Sequence, residues 1–289
     1  MEKIGFIGAG TVGTALASRL FQKGYSIVAV SSRSLSSAQR LANFVPGCKV
    51  YERPQGVAEA AGFVFITTPD DAIPKVAAEV KWQGGQKVVH CSGADSLDVL
   101  ESARRDGASI GCFHPLQTFA SIQQAMENLP GSTFALESDE GLLVLLKQMA
   151  RDLDGNWVVL KAGDKVLYHA AAVFACNYVV TLMKLATDLW RTFGIPQDKA
   201  TEALLPLLRG TVSNISRIGL PSCLTGPIAR GDLGTVRKHL EALQKNAPDL
   251  TAVYSELGLQ TIPIALAKGK IDPERAKSLK VLLQEKWEE

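Results

Sequence analysis

Two short runs, His90-Cys91-Ser92-Gly93 and Phe113-His114-Pro115-Leu116, stand at the ends of apolar, β-rich stretches. An imidazole that titrates near neutrality can give a proton to, or take one from, a carbonyl or imine at which hydride is exchanged. His114 is therefore the expected acid or base, and Ser92 the group that orients substrate. The competing reading is a histidine satisfied by backbone groups at a proline-fixed turn. Further along, Tyr168-His-Ala-Ala-Ala-Val-Phe-Ala-Cys-Asn177 sets His169 and Asn177 in an apolar helical stretch. On a regular helix they would lie two turns apart, offset by about 80° and about 12 Å along the axis. Both need hydrogen-bond partners, which substrate or a second helix can supply. Arg230, in Leu224-Thr-Gly-Pro-Ile-Ala-Arg-Gly-Asp232, can receive a substrate carboxylate or phosphate, or make an interdomain ion pair.

A Gly-x-Gly-x-x-Gly run, Gly8-Ala9-Gly10-Thr11-Val12-Gly13, follows a strand directly and opens a helix. That context is what gives the pattern its meaning as a dinucleotide site. Gly8 makes the tight turn, Gly10 admits a pyrophosphate to the backbone, and Gly13 lets helix and strand pack closely. The helix start at Thr11 and Val12 offers unpaired N–H groups to the phosphates. Where an NAD enzyme usually places an acidic residue at the end of the second strand, this chain has Ser31-Ser32-Arg33-Ser34. A guanidinium among hydroxyls suits a 2′-phosphate, so NADP is the expected cofactor; the alternative is that Arg33 is simply solvated. The missing acid also argues against an S-adenosylmethionine methyltransferase. Thr67, Thr68 and Pro69, at another strand end, are expected to border the nicotinamide ribose. Asp70 and Asp71 read as helix caps.

The elements that must hold these residues alternate over the first half of the chain. Strands are expected at Lys3–Gly8, Ser26–Ser31, Phe63–Thr67, Lys87–His90, Ser109–Phe113, Thr133–Leu136 and Trp157–Leu160. Helices are expected at Thr11–Lys23, Ser36–Phe44, Asp71–Val80, Ser96–Arg105 and Asp139–Asp152. This is the pattern of an α/β protein whose doubly wound, mostly parallel Rossmann sheet is covered on both faces. Beyond Leu160 the period is helical throughout. One long buried helix is expected from Asp164 to Phe193, stopped by Gly194 and Pro196, with others starting near Asp198, Asp232, Asp249 and Asp272. The expected domains are residues 1–160, binding NADP, and an all-α domain of residues 161–289 for substrate and dimerisation.

With 31 Lys+Arg against 29 Asp+Glu in 289 residues, no field points to nucleic acid or an anionic membrane, and a small molecule is the expected partner. The start lacks the apolar stretch of a signal peptide, and the run between His169 and Lys184 falls short of a span; a cytoplasmic protein is expected. Five scattered cysteines make no Cys-x-x-Cys pair. Neither His90-Cys91 nor Cys112 with His114 has a standard zinc spacing, so no metal is expected.

The combination of GAGTVG, SSRS, TTPDD, HCSG, FHPLQTF, YHAAAVFACN and LTGPIARGD resembles the Rossmann-like NADP oxidoreductases that carry a C-terminal helical domain of unknown function, over nearly the whole chain. The resemblance implies kinship with pyrroline-carboxylate reductases, with hydroxyisobutyrate, 6-phosphogluconate and prephenate dehydrogenases, and with deazaflavin-dependent NADP reductases. His114 with Ser92 one strand earlier resembles the prephenate dehydrogenase arrangement, in which such a pair addresses the substrate hydroxyl. Hydroxyisobutyrate-type enzymes place a catalytic lysine four residues before an asparagine on the first long helix. Val173 stands four residues before Asn177, so His114 or His169 would have to serve instead. The function implied is hydride transfer to or from a small anionic carbonyl, imine or hydroxy compound. A non-catalytic NADP-binding sensor or scaffold is the alternative. The helix from Asp164 to Phe193 is apolar around much of its circumference, which predicts a homodimer built by the helical domain.

Overall fold

In the computed structural model, which describes residues 2–285, eight strands form one sheet in the order β3-β2-β1-β4-β5-β6-β7-β8. They are β1 (Lys3–Ile7), β2 (Ser26–Ser31), β3 (Lys49–Tyr51), β4 (Phe63–Ile66), β5 (Lys87–His90), β6 (Ser109–Leu116), β7 (Thr133–Ser138) and β8 (Asn156–Val159). Only β6 and β7 pair antiparallel; the other neighbouring pairs are parallel. Between the strands run α1 (Thr11–Gln22), α2 (Leu35–Phe44), α3 (Pro54–Ala60), α4 (Ile73–Glu79), α5 (Glu101–Arg105), α6 (Ile122–Asn128) and α7 (Glu140–Asp152). The doubly wound α/β architecture is thus present.

Alternation along each strand explains why the central runs are apolar at every position. Phe63 and Phe65 enter one core with Phe6, Phe113 and Phe134, while Val64 and Ile66 enter a second with Ile7 and Val88. Successive side chains point to opposite faces, and helices cover both. In the first core Phe6 stacks on Phe65 at 5.0 Å and Phe113 on Phe134 at 4.5 Å between ring centroids. Each buried aromatic contributes roughly 1.5–3 kcal/mol. The sequence pattern did not reveal β3, α3 or α6. β3 is a three-residue edge strand, and α3 and α6 have seven residues each, too few for a periodic signal.

Two compact units divide the chain, Met1–Cys176 and Asn177–Glu289. The element type changes near Lys161, as the periodicity indicates, but α8 (Lys165–Ala172) belongs with the sheet because its Lys165, Tyr168 and His169 face β5 and β6. A wide π turn, Val173–Asn177, follows. The single helix expected from Asp164 to Phe193 is therefore interrupted, and the regular-helix offset between His169 and Asn177 does not hold.

The second unit contains α9 (Tyr178–Arg191), α10 (Gln197–Ile218), α11 (Leu233–Asn246), α12 (Thr251–Ala267) and α13 (Pro273–Gln284). Val236, Leu240, Ile262 and Leu279 form its core. Asp232 and Asp272 cap α11 and α13 through the N–H groups of Thr235 and Arg275. Asp198 instead lies within the first turn of α10, and Asp249 in a short 3-10 turn. The reading of the apolar run between His169 and Lys184 as a buried helix does not hold within a single chain. Leu167 is 77% exposed and Val180 70%. The 27-residue stretch Lys165–Arg191 is long and apolar enough to cross a membrane by length and composition, and none of its apolar window is buried. The run between His169 and Lys184 alone is shorter than a span, but the helix that contains it is not.

Candidate cofactor and active site

The β1–α1 turn is held by close backbone approach. Gly8 has φ +111, and a Cβ there would come within 2.6–2.8 Å of the Thr67 and Thr68 backbone. A Cβ on Gly13 would collide with Thr67 Oγ1 and Gly8 O, the same oxygen to which the Thr67 hydroxyl donates at 2.8 Å. Gly10 differs, since a Cβ there meets no atom within 4 Å. Its lack of a side chain leaves open the space beside the first N–H groups of α1, at Thr11 and Val12.

A cleft of about 530 Å³ begins at this turn and is lined by Gly8, Gly10, Ser31, Ser32, Arg33, Thr67, Thr68 and Pro69 among others. Ser31 Oγ and Thr68 Oγ1 are buried without a hydrogen-bond partner, and a buried orphan hydroxyl signals a missing polar partner. These residues fit a dinucleotide: a glycine cradle and helix start for pyrophosphate, and a guanidinium with hydroxyls for a phosphorylated ribose. Glu52 and Lys75 also line the cleft and were not anticipated. Glu52 sits just beyond the unpredicted β3. It puts a carboxylate in the cleft, although none stands at the end of β2.

Along the sheet's carboxyl edge a histidine cluster follows. His114, on β6, has Nδ1 2.8 Å from the Tyr168 hydroxyl, and its ring crosses that of His169 edge-on at 6.2 Å. Gly93 admits both imidazoles. A Cβ on it would lie 2.6 Å from His169 Nδ1 and 2.9 Å from His114 Nε2. His169 Nδ1 is buried and unpartnered. Lys165, one helical turn before His169, is 2% exposed and donates to Ser92 O at 2.7 Å and to Cys112 Sγ at 2.9 Å.

Ser92 is more constrained than the sequence suggests. Its hydroxyl donates to Asp70 Oδ2 at 2.9 Å and accepts from the N–H groups of Ala94 and Asp95, so its one proton is already engaged. Asp70 correspondingly is not a cap for α4. Its carboxylate ties the end of the cofactor cleft to the histidine cluster.

Burial dominates the electrostatics. It pushes the His114 imidazolium down to about 4, helped by the positive charge of Lys165 and by His169. His90 is pushed down to about 3 by burial, then by Lys165 and His114; it accepts the Ser92 N–H through Nδ1. The expectation of an imidazole titrating near neutrality is thereby corrected, since His114 is neutral at ordinary pH. Burial raises the Tyr168 phenol, so the hydroxyl keeps its proton; when it donates to His114 Nδ1 the ring proton sits on Nε2, and when it accepts from Nδ1 the other tautomer is present.

The sheet unit thus brings together Ser92, His114 and His169 and adds Lys165, Tyr168 and Asp70. Asn177 and Arg230 belong to the second unit. There Asn177 is exposed, and Arg230 lines a cleft of about 380 Å³ with Thr225, Gly226, Lys268 and Lys270. All five cysteines are free thiols.

Residues 1–115 match the Rossmann-like domain family, and residues 132–261 match a domain family of unknown function, DUF2520. A Bacteroides fragilis protein assigned as an NADP oxidoreductase is 27% identical, with a TM-score of 0.74 over 91% of this chain and 98% of that one. A Thermotoga maritima protein is likewise 27% identical, with a TM-score of 0.73 over 92% and 99%. A reductive aminase from Aspergillus terreus, solved with NADPH and ethyl-5-oxohexanoate, is 16% identical with a TM-score of 0.63 over 98% and 93%; this likeness shows the fold alone. No curated protein matches the chain.

Proposed function

We propose, from the premise that this chain joins a Rossmann-like domain to a DUF2520 domain, that it is an NADP(H)-dependent oxidoreductase acting on a small anionic carbonyl, imine or hydroxy compound. The observation that carries the reading is the Ser92–Asp70 hydrogen bond, which fixes the His114 cluster beside the strand end, Thr67–Pro69, that lines the glycine cleft. Bound NADPH would supply a hydride.

Gly8, Gly10, Gly13 and the start of α1 at Thr11 and Val12 hold the pyrophosphate. Ser31, Ser32 and Arg33 hold the 2′-phosphate, and Thr67, Thr68 and Pro69 border the nicotinamide ribose. The neutral His114 donates an Nε2–H hydrogen bond to the substrate oxygen and so stabilises the negative charge that develops there, while Tyr168 holds Nδ1 and keeps its proton; the proton that completes the product comes from solvent. His169 accepts from or donates to the same substrate through its unpartnered Nδ1. Ser92 acts through the turn it organises rather than by direct contact. In the second unit, Arg230 with Lys268 and Lys270 suits an anionic group, and Asn177 offers an amide.

One observation favours the non-catalytic reading, an NADP-dependent sensor or scaffold: the engaged Ser92 proton leaves one fewer group for chemistry. Screening carbonyl and imine compounds for oxidation of NADPH separates the two.

Cofactor choice tests the first part. Isothermal titration is expected to show NADP binding more tightly than NAD, and Arg33→Ala to lose most of the difference, roughly 1.5–3 kcal/mol for a charge-assisted bond. Equal affinities in the unmodified protein would remove the 2′-phosphate role from Arg33 and leave Glu52 to address a ribose hydroxyl.

The exposed apolar side chains of α9 and α10, among them Val180, Leu182, Leu207, Val212, Ile215 and Ile218, support a homodimer through the helical domain, as a largely apolar obligate interface would need. Light scattering at micromolar concentration is expected to report about twice the 31.0 kDa chain mass. A monomer would overturn this.

A further inference from the structure

Lys165 is an unusual residue for its position. It is almost fully buried, yet its ammonium group meets a carbonyl oxygen and a sulfur; among the described residues it makes no ion pair within 4.0 Å. A buried cation with no carboxylate within 4.0 Å, and only Glu137 acting on it from further away, is costly, and packing alone would be served better by an apolar side chain. Its surroundings show what it acts on. Lys165, Tyr168 and His169 lie on one face of α8 at i, i+3 and i+4. From β5 and the turn after it come His90, Cys91 and Ser92, from β6 Cys112 and His114, and from β7 Glu137. Asp70 reaches the same group through Ser92.

We propose that Lys165 is a positioning residue whose buried charge holds the His114–Tyr168 pair in a single neutral state, with the Nε2 proton of His114 facing Gly93 and His169. Three contacts support this. The two hydrogen bonds of Lys165 anchor it to the turn at Ser92 and to Cys112, two residues before His114. The Tyr168 hydroxyl occupies His114 Nδ1 at 2.8 Å. Gly93 leaves His114 Nε2 and His169 Nδ1 converging on one point, at 2.9 and 2.6 Å from where a Cβ would stand. A positive charge beside the ring disfavours a second proton on it, and its field also favours an oxygen that becomes negative on the substrate. The ligand suited to the notch is therefore a carbonyl or hydroxyl oxygen, held by a neutral N–H donor on one side and the second imidazole on the other. This deepens the reading of His114 as the group that meets substrate, but its test does not depend on turnover.

The chain has four histidines, so ¹⁵N-resolved NMR can follow each ring in the intact protein. Unmodified His114 is expected to remain neutral, protonated on Nε2, from pH 8 down to about 5. Lys165→Met should raise its titration midpoint by about one pH unit or more, and Lys165→Arg should leave it low. Tyr168→Phe should release the ring to exchange between tautomers. If Lys165→Met does not fold, Lys165→Gln, which keeps a polar tip for Ser92 O, takes its place with the same expected rise. A folded neutral variant with an unmoved midpoint overturns the proposal. So does an unmodified His114 that charges near pH 6.5 or carries its proton on Nδ1. If the NMR results hold and no compound oxidises NADPH, the catalytic reading fails while the positioning role stands.

Discussion

His114→Asn is expected to lower turnover by about 10²-fold or more, roughly 2.7 kcal/mol of transition-state stabilisation, while NADP affinity stays near that of the unmodified protein. Asparagine places an amide near the position of Nδ1 but has no N–H where Nε2 meets the substrate oxygen, so it removes that hydrogen bond while leaving the cofactor contacts in place. Because burial and Lys165 hold the imidazolium down to about 4, the rate should not fall as pH drops from 8 to 5, and a loss assigned to His114 should appear only near pH 4. Steady-state kinetics on a substrate found by screening checks both points. An unchanged rate in the variant would reduce His114 to a structural ring.

Acid is expected to destabilise the fold before most carboxylates titrate. His90 and His114 have pKa values lowered to about 3 and about 4 in the folded chain, against about 6.5 when unfolded. The unfolded chain therefore binds protons more readily, so stability is full above pH 6.5 and is lost as pH falls through that value toward 4 and 3. Each histidine removes up to about 1.4 kcal/mol per pH unit in this window, and the two together about 3 kcal/mol between pH 6.5 and 5. Urea midpoints across this range measure the slope. His90→Gln should remove about half of it, and a flat profile would mean that the two rings are not held neutral by burial.

How legible the sheet and cofactor turn are in the sequence follows from how local their causes are. Gly8, Gly10 and Gly13 are fixed by a strand, a turn and a helix start within thirteen residues, and each central strand is a single apolar run. Arg33 is read from one strand end. The histidine cluster depends on contacts between distant segments: Tyr168 reaches His114 across 54 residues and Lys165 reaches Ser92 across 73. Nothing in the local pattern distinguishes Lys165, a charged residue just inside a helix start, from a solvated one. Asp70 shows the same limit, since an acidic residue before a helix reads as a cap until the neighbouring strand brings Ser92 to it. Glu52 was hidden because the edge strand before it is too short to register.

The reversal between β6 and β7 has a consequence for how ligands communicate. Because these strands are antiparallel, with His114 opposite Ala135 and Leu116 opposite Thr133, the chain leaves and re-enters the sheet at the same edge and carries α6 in between. That helix packs on α1, and Arg19 Nε donates to Met126 O at 2.6 Å. The segment that continues from His114 is thereby fastened to α1, the helix that opens at the glycine turn. With cofactor and substrate bound as proposed, any ordering that one imposed on residues 117–132 would change the affinity for the other by the same factor, whichever bound first.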